Sequence, residues 1–158
     1  MKKSIISIIF IFIGLVGLTS CEKSDPFVDR VVSPVLVLVE SLEGGVSNGL
    51  TTDPAVSALV SKDASVMLKV LELDKSGLLD YKIGIDSIPV QGVAISFKLR
   101  SGALLQNVNT DSKGVATLSA PWASLGVSSP KAGTTVRLMA TGTYKEQSFT
   151  KYFTITGK

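Results

Sequence analysis

The stretch Val93 to Arg100 constrains the fold most tightly. Val93, Ile95, Phe97 and Leu99 alternate without a break with Ala94, Ser96, Lys98 and Arg100. Successive side chains of an extended strand point to opposite faces, so a period of two marks a strand buried on one side and wet on the other. Similar segments recur along the chain. Val35 to Val39 is an apolar run of strand length, and Ser65 to Leu73 sets Val66, Leu68 and Val70 on one face. Leu104 to Val108 is short, and the turn Asp111-Ser112-Lys113-Gly114 leads into Val115 to Ser119. Thr134 to Tyr144 sends Val136, Leu138 and Ala140 inward and Arg137, Met139 and Thr141 outward. Gln147 to Thr156 then returns through Lys145-Glu146. About seven short strands separated by polar, glycine-bearing turns predict an all-β fold, a sandwich of two antiparallel sheets. One helical piece is expected at Asp53-Pro54, where aspartate caps free N–H groups and proline suits the first helical position. Val56, Leu59 and Val60 would share its inner face.

The amino terminus carries a different signal. Lys2 and Lys3 precede an uncharged apolar run that starts at Ile5 and is about 14 residues long, short of the roughly 20 that span a hydrocarbon core. A basic start, a short apolar stretch and small residues before a cut are the parts of a secretory signal. The run closes on Leu18-Thr19-Ser20-Cys21, which holds the single cysteine of the chain. This ending resembles the lipobox of bacterial lipoproteins. The resemblance implies a signal peptide over residues 1–20, cut just before Cys21, with diacylglycerol on the thiol and an acyl chain such as palmitate on the new amino terminus. It also implies no disulfide, because acylation consumes the thiol. Residues 21–30 then read as a lipidated tether and 31–158 as the folded domain. Two or more acyl chains make such anchoring stable. Glu22 and Asp25, just after the cysteine, resemble the acidic export signals of surface lipoproteins in Bacteroidota, with Lys23 interrupting them. The expected location is the outer membrane, lipid-anchored, on the surface face ahead of the periplasmic one.

Composition narrows the functions available to the mature chain. Of 158 residues, removal of the first 20 leaves 138, enough for one domain with a real core. Two of the 16 Lys and Arg leave with the leader, so 14 face 13 Asp and Glu, and near-neutrality gives no reason to expect nucleic acid. The chain has no histidine, and its one cysteine is expected to be lipidated. The usual zinc, copper and haem ligands are therefore missing, as is the side chain most used for acid–base catalysis near neutral pH. No cofactor and no enzymatic activity are expected. Ser96, Ser112 and Ser119 have no histidine to activate them, and nothing marks a particular Ser-Lys pair.

From about Ser65 onward the order SVMLKVLELDKSG, PVQGVAISFKLRSG, NTDSKGVATLS, AGTTVRLMATGTY and a closing strand resembles a bacterial immunoglobulin-like domain of the invasin type. The most telling element is the Thr110-Asp111 turn followed by Gly114 and the small-residue strand around Ala116. Transthyretin-like and carboxypeptidase-regulatory-like sandwiches share that turn. The chain departs from the pattern between Asp74 and Pro89, where it inserts KSGLLDYKIGIDSI. Leu78, Leu79, Tyr81, Ile83 and Ile85 make this segment too apolar for a free loop. The simpler expectation is an extra hairpin or edge strand packed on its own sandwich. The functional one is a partner-binding edge, since open strand edges invite β-augmentation.

Glu72, Asp74, Asp80 and Asp86 cluster around the insertion, but calcium requires six to eight oxygens at tight spacing. They read as solvated turn charges and no metal site is expected. Asp111 with Asn109 reads as turn chemistry. Trp122, Tyr144 and Tyr152, with Tyr81, are the aromatic candidates for stacking a sugar ring, and the simpler reading of Trp122 is a lid over one sandwich end. The function expected is that of a lipid-anchored envelope lipoprotein acting as a protein-binding accessory subunit of a membrane complex, through the apolar insertion. The alternative is a surface glycan-binding lipoprotein.

Overall fold

Nine strands occur among the residues that the computed structural model describes, 33–42 and 53–158. They are β1 (Leu36–Glu40), β2 (Ala55–Ala58), β3 (Ala64–Asp74), β4 (Asp86–Pro89), β5 (Ala94–Leu99), β6 (Leu104–Asn109), β7 (Val115–Ala120), β8 (Thr135–Tyr144) and β9 (Gln147–Gly157). One sheet has five strands in the order β2-β9-β8-β5-β6, and the other has four strands built around β3. All pairings are antiparallel except β2 on β9. A single core draws fully buried residues from both sheets, with Val66, Leu68 and Leu118 from one and Ile95, Phe97, Leu138 and Phe153 from the other. The fold is an all-β sandwich.

The alternation along each expected strand accounts for its burial. On β5, Ile95 and Phe97 are fully buried while Ala94 faces solvent, and on β8 Val136, Leu138 and Ala140 point inward. The expected helix after Asp53-Pro54 is absent. Residues Ala55–Ala58 form β2 instead, alternating exposed and buried with Val56 and Ala58 inside. The physical reason is the edge of β9, whose backbone groups need partners. The Thr154 N–H donates to the Pro54 carbonyl at 2.9 Å and the Lys158 N–H to the Ala58 carbonyl at 2.9 Å. Val56, Ala58 and Val60 satisfy a period of two as well as Val56, Leu59 and Val60 satisfy a helix, and the unpaired edge decides between them.

The pairing of β3 sets the layout of the four-stranded sheet and of both ends of the sandwich. β1 occupies one of its edges, with Leu36 opposite Leu71 and Glu40 opposite Met67. The other edge is shared end to end by β7, against Ala64 to Lys69, and β4, against Leu71 to Asp74. At the handover the Val70 N–H donates to the Gly114 carbonyl at 2.8 Å and the Val90 N–H to the Val70 carbonyl at 3.0 Å. Gly114 has φ +72°, and a Cβ there would lie 2.5 Å from the Val70 oxygen and 3.0 Å from the Val90 nitrogen. Only glycine meets both demands. Gly114→Ala should therefore cost about 1–3 kcal/mol from backbone conformation alone, with the clash adding to it, as read from the urea unfolding midpoint.

Thr110 and Asp111 serve the same corner. The Thr110 Oγ1, 3% exposed, accepts from the Val93 N–H at 2.9 Å and donates to the Val90 carbonyl at 2.7 Å. Asp111 Oδ1 accepts from the N–H groups of Lys113 and Val115 at 2.8 and 2.9 Å. The Val115 and Lys113 hydrogen bonds hold the Asp111 carboxyl below its usual range. The Thr-Asp turn is thus structural.

Two ends of the sandwich can be distinguished. At one, β1 begins, β3 ends at Asp74 and β4 begins at Asp86. The two-residue turn Lys145-Glu146 between β8 and β9 belongs to the same end, because the Tyr144 hydroxyl donates to Glu72 Oε2 at 2.7 Å and Lys145 pairs with Glu72 Oε1. At the other end lie the start of β3 at Ala64, its partner Ala120, and the 3-10 turn Trp122–Leu125.

Candidate functional site

The inserted residues leave β3 at Lys75 and return at Asp86, and between them the chain folds into a run of tight turns. Leu78 N–H donates to Lys75 O, Asp80 N–H to Gly77 O, and both Ile83 and Gly84 N–H groups to Asp80 O, at 2.8–3.0 Å. Two aspartates cap the turns, Asp74 Oδ1 accepting from the Ser76 N–H and Asp80 Oδ1 from the Lys82 N–H. Aspartate suits these positions because its short carboxylate reaches the backbone two residues on. A Cβ on Gly77 would lie 2.3 Å from Ile83 Cγ2 and 2.7 Å from the Gly84 oxygen, so the segment closes on itself.

Its apolar side chains face water. Leu79 is 101% exposed and Tyr81 90%, with Ile83 at 69%, Leu78 at 58% and Ile85 at 47%. With Ile88 on β4, this short stretch supplies six of the nine large exposed apolar residues found among the described ones. The expectation of an extra edge strand holds, as β4. The expectation that these side chains pack on their own sandwich does not. The turn hydrogen bonds are local, and they hold the segment as a projection rather than folding it back over a sheet.

The edge of β4 offers little to an added strand. Its Ser87 N–H is taken by Asp86 Oδ1 at 2.8 Å, and Pro89 has no N–H to give. What this edge presents to solvent is the set of projecting side chains rather than free strand donors. Lys82 lies with its Nζ 5.9 Å from the Tyr81 ring centre. Glu72, at the base, is held below its usual carboxylate range by the Lys145 ammonium and then the Tyr144 phenol. A depressed acid adds stability that is present above about 4.3, the value of an unfolded chain, and is lost as pH falls through the lower folded value. Glu72 and Lys145 are 32% and 62% exposed, so the contribution is screened. Glu72→Gln should flatten the acid limb of the thermal midpoint between pH 6 and 3, the two proteins converging at the acid end.

The aromatic candidates do not converge. Trp122 is 5% exposed, and its Nε1–H donates to the Lys62 and Leu59 carbonyls at 3.0 and 3.3 Å. It occupies the core as an end lid, so neither ring face is offered to a sugar. Tyr144 is half-buried at the opposite end, its hydroxyl committed to Glu72. Tyr152 is 39% exposed on the outer face of the five-stranded sheet, with the Arg100 guanidinium 4.1 Å from its ring centre and Arg100 paired to Asp53. Beside it on that face is a shallow depression of about 450 Å³ lined by Ser96, Lys98, Thr141, Thr143, Ser148 and Thr150.

Among the described residues, Glu72, Asp74, Asp80 and Asp86 do not gather into a set able to hold a metal ion. Cys21 and the lipobox lie outside the described residues. The solvent exposure of the projection has no signal in the sequence, since it depends on how the turns close, and of the two features that blunt the β4 edge only Pro89 can be read from the chain. Comparison with protein-family models, with curated proteins and with solved structures found no match to this chain.

Proposed function

We propose that this chain is a lipid-anchored cell-envelope protein, held by an acylated Cys21, whose immunoglobulin-like sandwich is a protein-binding accessory subunit of a membrane complex. The observation that carries the reading is the concentration of exposed Leu78, Leu79, Tyr81, Ile83 and Ile85 on one preformed projection. Contiguous apolar surface rarely stays bare on a monomeric protein, and aromatic and aliphatic side chains on a rigid support are the usual anchors of an interface. The five-stranded sheet with a parallel β2 on β9, facing a sheet built on β3, supports the immunoglobulin-like assignment. The near balance of charge and the absence of histidine favour binding over chemistry.

The test is a gentle-detergent purification of the tagged, lipidated protein from its own membranes, with mass spectrometry of the proteins retained with it. A stoichiometric envelope partner supports the subunit reading. A solitary protein counts against it and leaves the glycan alternative, for which Tyr152 and the hydroxyl-lined depression are the surface to titrate. Cys21→Ser tests the anchor separately, moving the protein to the soluble fraction and removing the mass of the acyl chains.

A further inference from the structure

We infer that the outer face of the five-stranded sheet binds an acidic polysaccharide. Lys98, Arg100 and Arg137 meet its carboxylates, and the neighbouring Ser and Thr side chains meet its hydroxyls. Such a site rests on the glycan alternative and does not depend on the projection having a partner. Its basis is the division of charge between the sheets. Strands β2, β5, β6, β8 and β9 contain no Asp or Glu, whereas Glu40, Glu72, Asp74 and Asp86 all lie in the four-stranded sheet. Lys98 and Arg137 alternate with buried neighbours and so stand on the outer face of their sheet. Among the described residues, neither side chain has an anionic partner. Arg100 reaches across β8 to lie 4.1 Å from the Tyr152 ring centre. One of its N–H groups meets Asp53 at 3.2 Å, yet the side chain stays 44% exposed. A guanidinium held between a ring and a carboxylate keeps other donors of its fork for a second anion.

Strand register sets these cations beside hydroxyls in successive rows. Thr143 lies opposite Ser148, and the next row is Ser96, Thr141 and Thr150. Lys98, Met139 and Tyr152 follow, then Arg137 opposite Thr154. Rows on one face are two residues, or about 7 Å, apart, so these rows together span about 20 Å. Lys98 and the hydroxyls of the first two rows line the depression of about 450 Å³. A face of this length suits an extended chain rather than a single sugar. Cations at one end of the hydroxyl rows suit a polymer that carries both carboxylates and hydroxyls. Nucleic acid fits less well, because the Tyr152 ring is already stacked by Arg100 and base binding relies on free rings. A protein interface would need an apolar centre, and Met139 and Tyr152 are the only large apolar side chains in these rows.

The experiment is calorimetric titration of the full lipidated chain, in non-ionic detergent at about 0.15 M salt, with polygalacturonate, alginate and hyaluronate. Binding of at least one is expected, and methyl esterification of that polymer, which keeps its hydroxyls and removes its charge, should abolish it. Lys98→Gln with Arg137→Gln should weaken binding at least about tenfold, the effect of losing charged hydrogen bonds. Thr141→Val with Thr150→Val, which keeps shape and strand propensity, should weaken it about fivefold. Lys113→Gln, in the turn before β7, should change nothing. Thermal unfolding of each variant separates lost binding from lost fold. Equal binding of the ester overturns the acidic ligand while the glycan alternative survives. Equal binding of inorganic polyphosphate or polydeoxythymidylate, with the Thr variants unaffected, reduces the face to a general anion attractor and overturns the inference. Binding to none of the three acidic polymers overturns it too, and leaves co-purification through the projection untouched.

Discussion

Tyr81→Asp combined with Ile83→Asp is expected to abolish co-purification of the partner while the protein stays folded. Each substitution leaves a carboxylate facing apolar surface at the interface, which costs about 2–5 kcal/mol when it is unpaired. The affinity should therefore fall by at least about a hundredfold. Stability is affected little, because Tyr81 and Ile83 are 90% and 69% exposed. Exposed substitutions stay within about 0.5 kcal/mol each, so the thermal midpoint should move by no more than about 4 °C. Leu79→Asp is the cleaner single change, since Leu79 is fully exposed, whereas Ile83 also rests against Gly77. Binding lost together with a collapsed midpoint would mean that the projection supports the fold, and the interface would have to be sought elsewhere.

The second large effect lies at the opposite end. Trp122→Ala should cost about 3–5 kcal/mol, the usual range for deleting a buried aromatic. It empties the space over the core beside Leu125 and strips the Leu59 and Lys62 carbonyls of their shared donor. Trp122→Phe keeps most of the apolar volume and loses only the hydrogen bonds, so it should fall well short of that. Urea unfolding read by circular dichroism measures both variants. In the wild type the same burial should give a blue-shifted tryptophan emission, unmoved by a polysaccharide titration. A red-shifted emission quenched by sugars would place the indole at a rim and revive it as a stacking platform. Partner co-purification should survive in whatever fraction of Trp122→Phe is folded, since this end carries none of the projection.

Much of the sandwich is legible in the chain itself, for one reason. Strands with a wet face and a dry face write a period of two into the sequence, and β3, β5, β8 and β9 do so over enough residues to be unmistakable. The failures come where pattern is short or where the deciding partner is remote. Over Val56 to Val60 two periodicities fit equally, and the choice is made by the edge of β9, about a hundred residues away in sequence. β4, Asp-Ser-Ile-Pro, has no alternation to read and exists because β3 runs past the end of β7. The site shows the same division. The apolar excess of Leu78 to Ile85 is visible in composition, but composition does not say whether such residues turn inward or outward. That is settled by backbone closure around Asp80 and Gly77, which takes up the hydrogen bonds that docking onto a sheet would otherwise use.

The overhang of β3 has a consequence for how such a domain diversifies. Its last four paired residues, Leu71 to Asp74, act as a socket that accepts a short strand without touching the residues that hold the two sheets together. Whatever lies between that socket strand and β3 is a cassette: residues 75–85 can be exchanged, lengthened or lost while the sandwich keeps its shape. Under the proposed binding role, a change in residues 75–85 should alter recognition while every core residue stays as it is.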